Sequence, residues 1–335
     1  MKNITLKELA KQLNLSVPTV SRALNDSYEI SQETKDKVNA LAQELNYRPN
    51  PFASSLRKNR SKTIALVIPE ISSVFFSQIT KGVEAVANNK GYHVIICCSD
   101  EKIDKETEIV QHLIDGRVDG ILLSTSAETT DGKHLESFVE RKIPVVLFDR
   151  TIENMPFSSV TSNDYESSYA ATVHLIENNC NSIGFLKFGK NLQNIEKRLK
   201  GYQQALTDYN LKPNNNLILT LEQDADENIE KIKRFILNKK PDALFASVEH
   251  LAMATYDACK QIDLTIPNNL KLLAYSNLNI ARHFSPPLTT IVQPAYEIGE
   301  SSATLLLNLL KNKHLDEIED LMIDSEISFR ASTEN

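Results

Sequence analysis

With 335 residues, 41% apolar and 24% charged, the chain has the composition of an ordinary globular protein, long enough for two or three separate cores, and this excludes a disordered or fibrous polymer. No stretch approaches the roughly 20 uninterrupted apolar residues of a membrane helix. Met1-Lys2-Asn3-Ile4-Thr5 leads into a polar helix rather than a signal-peptide core, so the expectation is a cytoplasmic protein with no membrane partner. The formal charge of −7 is uneven: eleven of the 37 Lys/Arg and six of the 44 Asp/Glu fall within residues 1–62, which gives that head +5 and leaves −12 for the rest. A basic head can bind phosphate while an acidic body stays off it. Cysteines 97, 98, 180 and 259 lack the paired spacing of a zinc site and are expected to be small buried hydrophobes in a reducing compartment; no metal or cofactor is expected.

Thr5-Leu6-Lys7-Glu8 is a capping box, and it predicts a first helix with Leu6, Leu9, Ala10 and Leu13 on one face. Asn14-Leu15 ends it. Ser16 serves as the next N-cap, with Pro18 in the first turn, for a second helix that runs to about Asn25. Val20, Ala23 and Leu24 form its apolar side, which leaves Val17, Pro18, Thr19, Ser21, Arg22 and Asn25 on the remaining surface. Short side chains let a backbone approach the major groove, and Arg22 carries the fork that matches guanine O6/N7. Ser31 caps a third helix whose Val38, Leu41, Ala42 and Leu45 close a three-helix core. By geometry alone the same pattern also fits a small helical bundle with an ordinary exposed arginine.

Tyr47-Arg48-Pro49-Asn50-Pro51 breaks the chain, and Asn50 with Pro51 then starts a very short helix, Phe52-Ala53-Ser54-Ser55-Leu56-Arg57. A helix of that length is not stable alone. Leu56, among Arg57, Lys58, Arg60 and Lys62, fits either a loosely docked linker or a wedge that folds into a minor groove.

From Thr63 the pattern becomes apolar runs alternating with helices. Ile64-Ala65-Leu66-Val67-Ile68 is followed by a helix over 76–90 that Gly91 ends, and strands follow near 93–98, 118–124, 143–148, 183–188, 217–221, 243–247 and 271–275. Such alternation predicts parallel sheets covered on both faces, with ligands at the carboxyl ends of the strands. The candidates there are Phe75, Phe76, Ser124, Asp149, Arg198, Glu249, Ser276 and Gln293, with Ser126, Arg150, Asn163 and Asp164 beside them. Aromatic rings with hydroxyl-directed polar groups suit a sugar or nucleoside. For the Phe pair core packing is the competing role, for Asp149 a turn or cap, and for Arg198 a solvated face. The chain has no Gly-rich phosphate loop, no metal-spaced His pair and no nucleophile elbow, so no enzymatic activity is expected.

Thr5 to Ala10, Ser16 to Asn25, Tyr47-Arg48-Pro49-Asn50 and Ala53 with Leu56 resemble the head and hinge of the lactose-repressor (LacI/GalR) family. The resemblance continues through Val74-Phe75-Phe76, Ile143 to Arg150, Arg198-Leu199-Lys200-Gly201-Tyr202, Pro286 to Thr290 and Phe329 to Thr333. It implies a helix-turn-helix DNA-binding domain over 1–49, a hinge helix and linker over 50–61, and an effector-binding and dimerisation body over 62–335. The body would be periplasmic-binding-protein-like, with two doubly wound parallel-sheet lobes, about 62–160 plus 291–321 and about 161–290 plus 322–330. It further implies that Thr19, Ser21, Arg22 and Asn25 face the major groove, that Thr5, Ser16, Tyr47 and Asn50 approach phosphates, and that Ala53 and Leu56 enter the minor groove. Four positions depart from the family pattern: Ser54 stands where Arg often follows the hinge Ala, Val248-Glu249 replaces the usual Asn-Asp, and Ser276 replaces an Asp.

The expected function is a repressor of carbohydrate-utilisation genes, a homodimer on a near-palindromic double-stranded operator, whose effector, a sugar or sugar derivative, changes the spacing of paired hinges. The chain stops soon after Thr333 with no heptad tail, which favours a dimer over a tetramer. The alternatives are a soluble solute-binding receptor and a nucleoside- or purine-responsive regulator of the same architecture.

Overall fold

The computed structural model describes residues 4–45, 47, 61–115, 118–189, 192–312 and 318–334. The chain divides into two compact units, 1–61 and 62–335, each considered by itself.

The head is three helices, α1 (Leu6–Gln12), α2 (Val17–Leu24) and α3 (Gln32–Glu44). Each start is fixed by local chemistry. The Thr5 N–H donates to the Glu8 carboxylate at 2.7 Å while the Glu8 N–H donates back to the Thr5 hydroxyl at 3.3 Å, closing a capping box. The Ser16 and Ser31 hydroxyls accept from the Thr19 and Thr34 N–H groups at 3.2 and 3.4 Å. After α1 the chain turns at Asn14, whose φ of 53° lies in the left-handed region that Asn tolerates. Leu9, Val20 and Val38 are fully buried and Ala10, Ala23 and Ala42 nearly so, one residue pair from each helix. Small alanines beside them let three short helices pack closely.

The body holds two six-stranded sheets. The first contains β1 (Thr63–Ile68), β2 (His93–Cys98), β3 (Gly120–Leu123), β4 (Val145–Phe148), β5 (Ser158–Ser162) and, from far along the chain, β11 (Asp320–Ile323). The second contains β6 (Ile183–Phe188), β7 (Ile218–Leu221), β8 (Ala243–Ala246), β9 (Lys271–Tyr275), β10 (Thr289–Val292) and β12 (Glu326–Ser328). Their orders are β11-β5-β4-β3-β1-β2 and β12-β10-β9-β8-β6-β7. All neighbours are parallel except β12, which runs antiparallel to β10. Helices α4 (Val74–Asn89), α5 (Ile103–Leu113), α6 (Glu136–Glu140) and α11 (Ala295–Asn312) serve the first sheet; α7 (Asp164–Glu177), α8 (Gln193–Asp208), α9 (Ala225–Lys239) and α10 (Glu249–Gln261) serve the second.

Strands β3, β4 and β8 are buried along their whole length, which is why they read as unbroken apolar runs. β2 is an edge strand, so Ile95 and Ile96 remain 42% and 41% exposed, and Cys97 and Cys98 are half-buried rather than buried as expected; Cys180 and Cys259 are buried. β5 and β10 carry Ser and Thr instead of an apolar run and were not among the expected strands. The ladders of β4 and β9 recruit them. The chain leaves the first sheet after Ser162, returns after Val292 and leaves again after Ile323, a few residues beyond 160, 290 and 321.

α4 and α11 pack through facing glycines. A Cβ on Gly82 would lie 2.2 Å from the Tyr296 carbonyl oxygen, and one on Gly299 2.2 Å from that of Ile79. Hydrogen there is what allows the two backbones to approach. In both sheets the first strand has the second on one side and the third on the other, so each has a crevice at the carboxyl ends of its first and third strands. The site lies there.

Candidate DNA-recognition helix and effector cleft

On α2, Arg22 is exposed and pairs with Glu29 at 2.8 Å, both side chains about half in solvent. Asn25, at the helix end, is exposed, with its side-chain amide donating to the Ser21 carbonyl at 2.7 Å. Thr19 is half-exposed and its hydroxyl lies 2.7 Å from that of Ser16. Ser21 departs from expectation. It is only 9% exposed, because it stands one turn after Val17 and one before Leu24, both of which pack on the head core. Thr5 is engaged in its capping box, and Tyr47 packs against the core. Asn50, Ala53 and Leu56 lie outside the described residues.

In the body the ends of both sheets line a cleft of about 450 Å³. Phe75 and Phe76, opening α4, line it and also belong to the lobe-one core, with ring centroids 5.2 Å apart in an edge arrangement. Asp149, just after β4, is 5% exposed with a left-handed φ of 57°. Its Oδ1 accepts long hydrogen bonds from the Asn194 and Gln293 amides, at 3.3 and 3.4 Å. Burial pushes its carboxyl above the usual range, against the pull of Arg150 and Arg198.

Arg198 projects from α8 and is 2% exposed, not a solvated surface residue. Its Nε donates to Asp164 at 2.7 Å, its Nη1 donates to the Ser247 carbonyl at 2.6 Å, and the guanidinium lies 3.6 Å from the Tyr275 ring centroid. These contacts tie three segments of lobe two to one side chain. Burial raises the Asp164 carboxyl to about 6 despite that pairing. On lobe one, Arg150 makes a two-pronged pair with Glu101, at 2.7 and 2.9 Å.

Glu249 opens α10, and its Oε2 accepts from the Ser276 hydroxyl at 3.2 Å. Two of the residues that depart from the family pattern thus contact each other. Burial raises the Glu249 carboxyl. Gln293 donates to the Ser162 hydroxyl at 2.9 Å as well as to Asp149, bridging chain segments near two crossings. Ser124 does not line the cleft. It ends an interior strand, is fully buried, and its hydroxyl finds no partner among the described residues. Ser126 is spent on the buried Glu106 and Thr129, and Asn163 on Asp324.

Residues that sequence inspection missed include Glu101, Asn194, Tyr275 and His250. His250 lines the cleft with its ring edge-on to Phe188, centroids 4.8 Å apart, and its buried Nε2 has no hydrogen-bond partner among the described residues. Its place directly after Glu249, at the start of a helix that follows an apolar strand, was the available signal. Among the described residues no cluster of side chains could hold a metal ion, and no helix is long and apolar enough to cross a membrane.

A helix-turn-helix head and a two-lobed body with a polar, arginine-bearing cleft between its sheets define a DNA-binding regulator with a small-molecule sensor. Residues 5–50 match the description "Bacterial regulatory proteins, lacI family", and residues 172–333 match "Periplasmic binding protein-like domain". The chain is 33% identical to the ribose operon repressor of Halalkalibacterium halodurans, over 93% of this chain and 92% of that one. It is 31% identical to the HTH-type transcriptional repressor PurR of Photobacterium profundum, over 92% and 93%. Its fold matches that of the lac repressor dimer bound to operator and the anti-inducer ONPF, with a TM-score of 0.85 at 22% identity over the full length of both chains. The chain belongs to the lacI family of bacterial regulatory proteins, and it is a transcription regulator rather than an enzyme.

Proposed function

We propose that this regulator represses carbohydrate-utilisation genes as a cytoplasmic homodimer, each head reading one half of a near-palindromic operator. Arg22, Thr19 and Asn25 contact bases in the major groove, Thr5, Ser16, Tyr47 and Asn50 hold phosphates, and Ala53 and Leu56 enter the minor groove. A two-fold protein requires a two-fold site. A sugar or sugar derivative held by Phe75, Phe76, Asp149, Arg198, Glu249, Ser276 and Gln293 shifts the two lobes, and the hinge over 50–61 carries that shift to the heads. A coupling of about 1–3 kcal/mol between the two sites is enough for a switch.

The observation that supports this reading is the cleft itself. Asp149, Arg198 and Gln293 come from three distant stretches of chain and meet at the ends of both sheets, so any ligand that touches all three senses how the lobes are disposed. The repressor names of the relatives support the sign of regulation. The test is a gel shift on the DNA flanking its own gene, titrated with sugars and nucleosides. Release of DNA by a sugar is expected. Response to a purine or nucleoside alone would move the effector class, and failure to bind the flanking DNA under any condition would remove the assignment of target.

A further inference from the structure

The cleft's charges say which class of effector it accepts. Among the described residues its wall carries five carboxylates, Glu70, Glu101, Asp149, Glu249 and Asp257, and two guanidinium groups, Arg150 and Arg198. Both arginines are already neutralised by carboxylates of the body, Arg150 by Glu101 at 2.7 Å and Arg198 by Asp164 at 2.7 Å. Glu70 stands on the loop after β1 and Glu249 at the start of α10, so the two lobes bring to the cleft, from opposite sides, carboxylates that accept from the Ser72 and Ser276 hydroxyls but have no ion pair among the described residues. Helix starts at the cleft would ordinarily attract an anion. At two of these starts the protein supplies the negative charge itself: Glu249 occupies the first turn of α10, and the Asp224 carboxylate accepts from the Glu227 N–H at 2.8 Å at the start of α9, whereas the first turn of α4 carries no acidic residue.

His250 adds a polar atom without adding positive charge. Its buried Nε2 has no hydrogen-bond partner among the described residues, and burial holds the imidazole below its usual range against the opposite pull of Glu70 and Glu101. An atom so placed is satisfied by a ligand hydroxyl or amide.

We propose that the cleft selects an uncharged or cationic effector rich in hydrogen-bond donors and rejects its anionic counterparts, and that Glu249 and His250 on α10 set this preference. The claim rests on the cleft being the effector site, as proposed above. It excludes sugar phosphates, sugar acids and nucleotides as the signal.

The test measures thermal stabilisation of the full chain by paired probes: glucose with glucose 6-phosphate and gluconate, ribose with ribose 5-phosphate, adenosine with its monophosphate, and glucosamine as the cationic member. Calorimetry on every stabilising compound follows. The expected result is that each stabilising compound is non-anionic and that its anionic counterpart binds about tenfold or more weakly, since juxtaposed like charges cost at least that much. Glu249→Gln narrows this gap, and His250→Phe, which keeps a ring against Phe188, retains the thermal midpoint while weakening the neutral ligand about tenfold. An anionic compound that binds as tightly as its neutral counterpart overturns the inference and leaves the effector cleft intact, as does a gap unchanged by Glu249→Gln. Absence of stabilisation by every compound, with operator binding unresponsive to all of them, overturns the effector reading and this inference with it.

Discussion

Replacing Arg198 by Ala tests whether the buried pair is the structural hub of lobe two. The substitution removes two charge-assisted hydrogen bonds, to Asp164 and to the Ser247 carbonyl, and the stacking on Tyr275. It leaves Asp164, 1% exposed, without its cation. Breaking a buried pair from one side costs about 3–5 kcal/mol. Asp164 has one escape, because it can take up a proton, and its carboxyl titrates near 6 even with Arg198 present. Without the guanidinium it titrates higher, so between about pH 6 and that higher titration point the folded variant holds more protons than the folded parent. By linkage the stability deficit of the variant then grows as pH rises through that range and is smallest below it. Urea unfolding of parent and variant at pH 5.5 and 7.5 measures this directly. A deficit of about 3 kcal/mol or more at the higher pH, smaller at the lower, is expected. A deficit below about 1 kcal/mol, or one that grows on acidification, would refute the reasoning. The double variant Arg198→Met with Asp164→Leu should recover much of the loss, since apolar replacement of a buried pair is often neutral.

Arg22→Ala should cost about 1–3 kcal/mol of specific operator binding and relax the preference at one base position, as read by competition gel shifts with single-base operator variants. An unchanged preference would mean that Arg22 serves only its pair with Glu29. Ser16→Ala should destabilise the head by about 1 kcal/mol through loss of the α2 cap, measured by thermal unfolding of the full chain followed at the head's transition. Gly82→Ala should destabilise the body by about 1–3 kcal/mol or more, because the new methyl meets the α11 backbone rather than a movable side chain; an unaltered midpoint would mean that the two helices separate freely.

The head was legible residue by residue because its determinants are local. Thr5 with Glu8, Ser16 with Thr19 and Ser31 with Thr34 all act three residues apart, so spacing in the sequence is spacing in space. Ser21 marks the limit: a binary division of α2 into faces left it outside, while the 3.6-residue period carries it toward Val17 and Leu24. In the body the buried strands announced themselves by apolar runs, but β5 and β10 did not. Their Ser and Thr residues become strand only because a neighbouring ladder is already in place.

Sequence by itself therefore determined the kind of protein, a capped three-helix head ahead of two alternating strand–helix halves, since caps, periods and apolar runs act over a few residues. Only the tertiary structure decided which strand-end residues face a common space. Ser124 and Asp149 both follow interior apolar strands, yet one is sealed beneath the sheet end and the other turns at φ 57° into the cleft. The arginines were candidates in the sequence, but their partners were not assigned there. Arg150 finds Glu101 49 residues away and Arg198 finds Asp164 34 away, and those pairings, set by how the sheets place their loops, fix the charge left for a ligand.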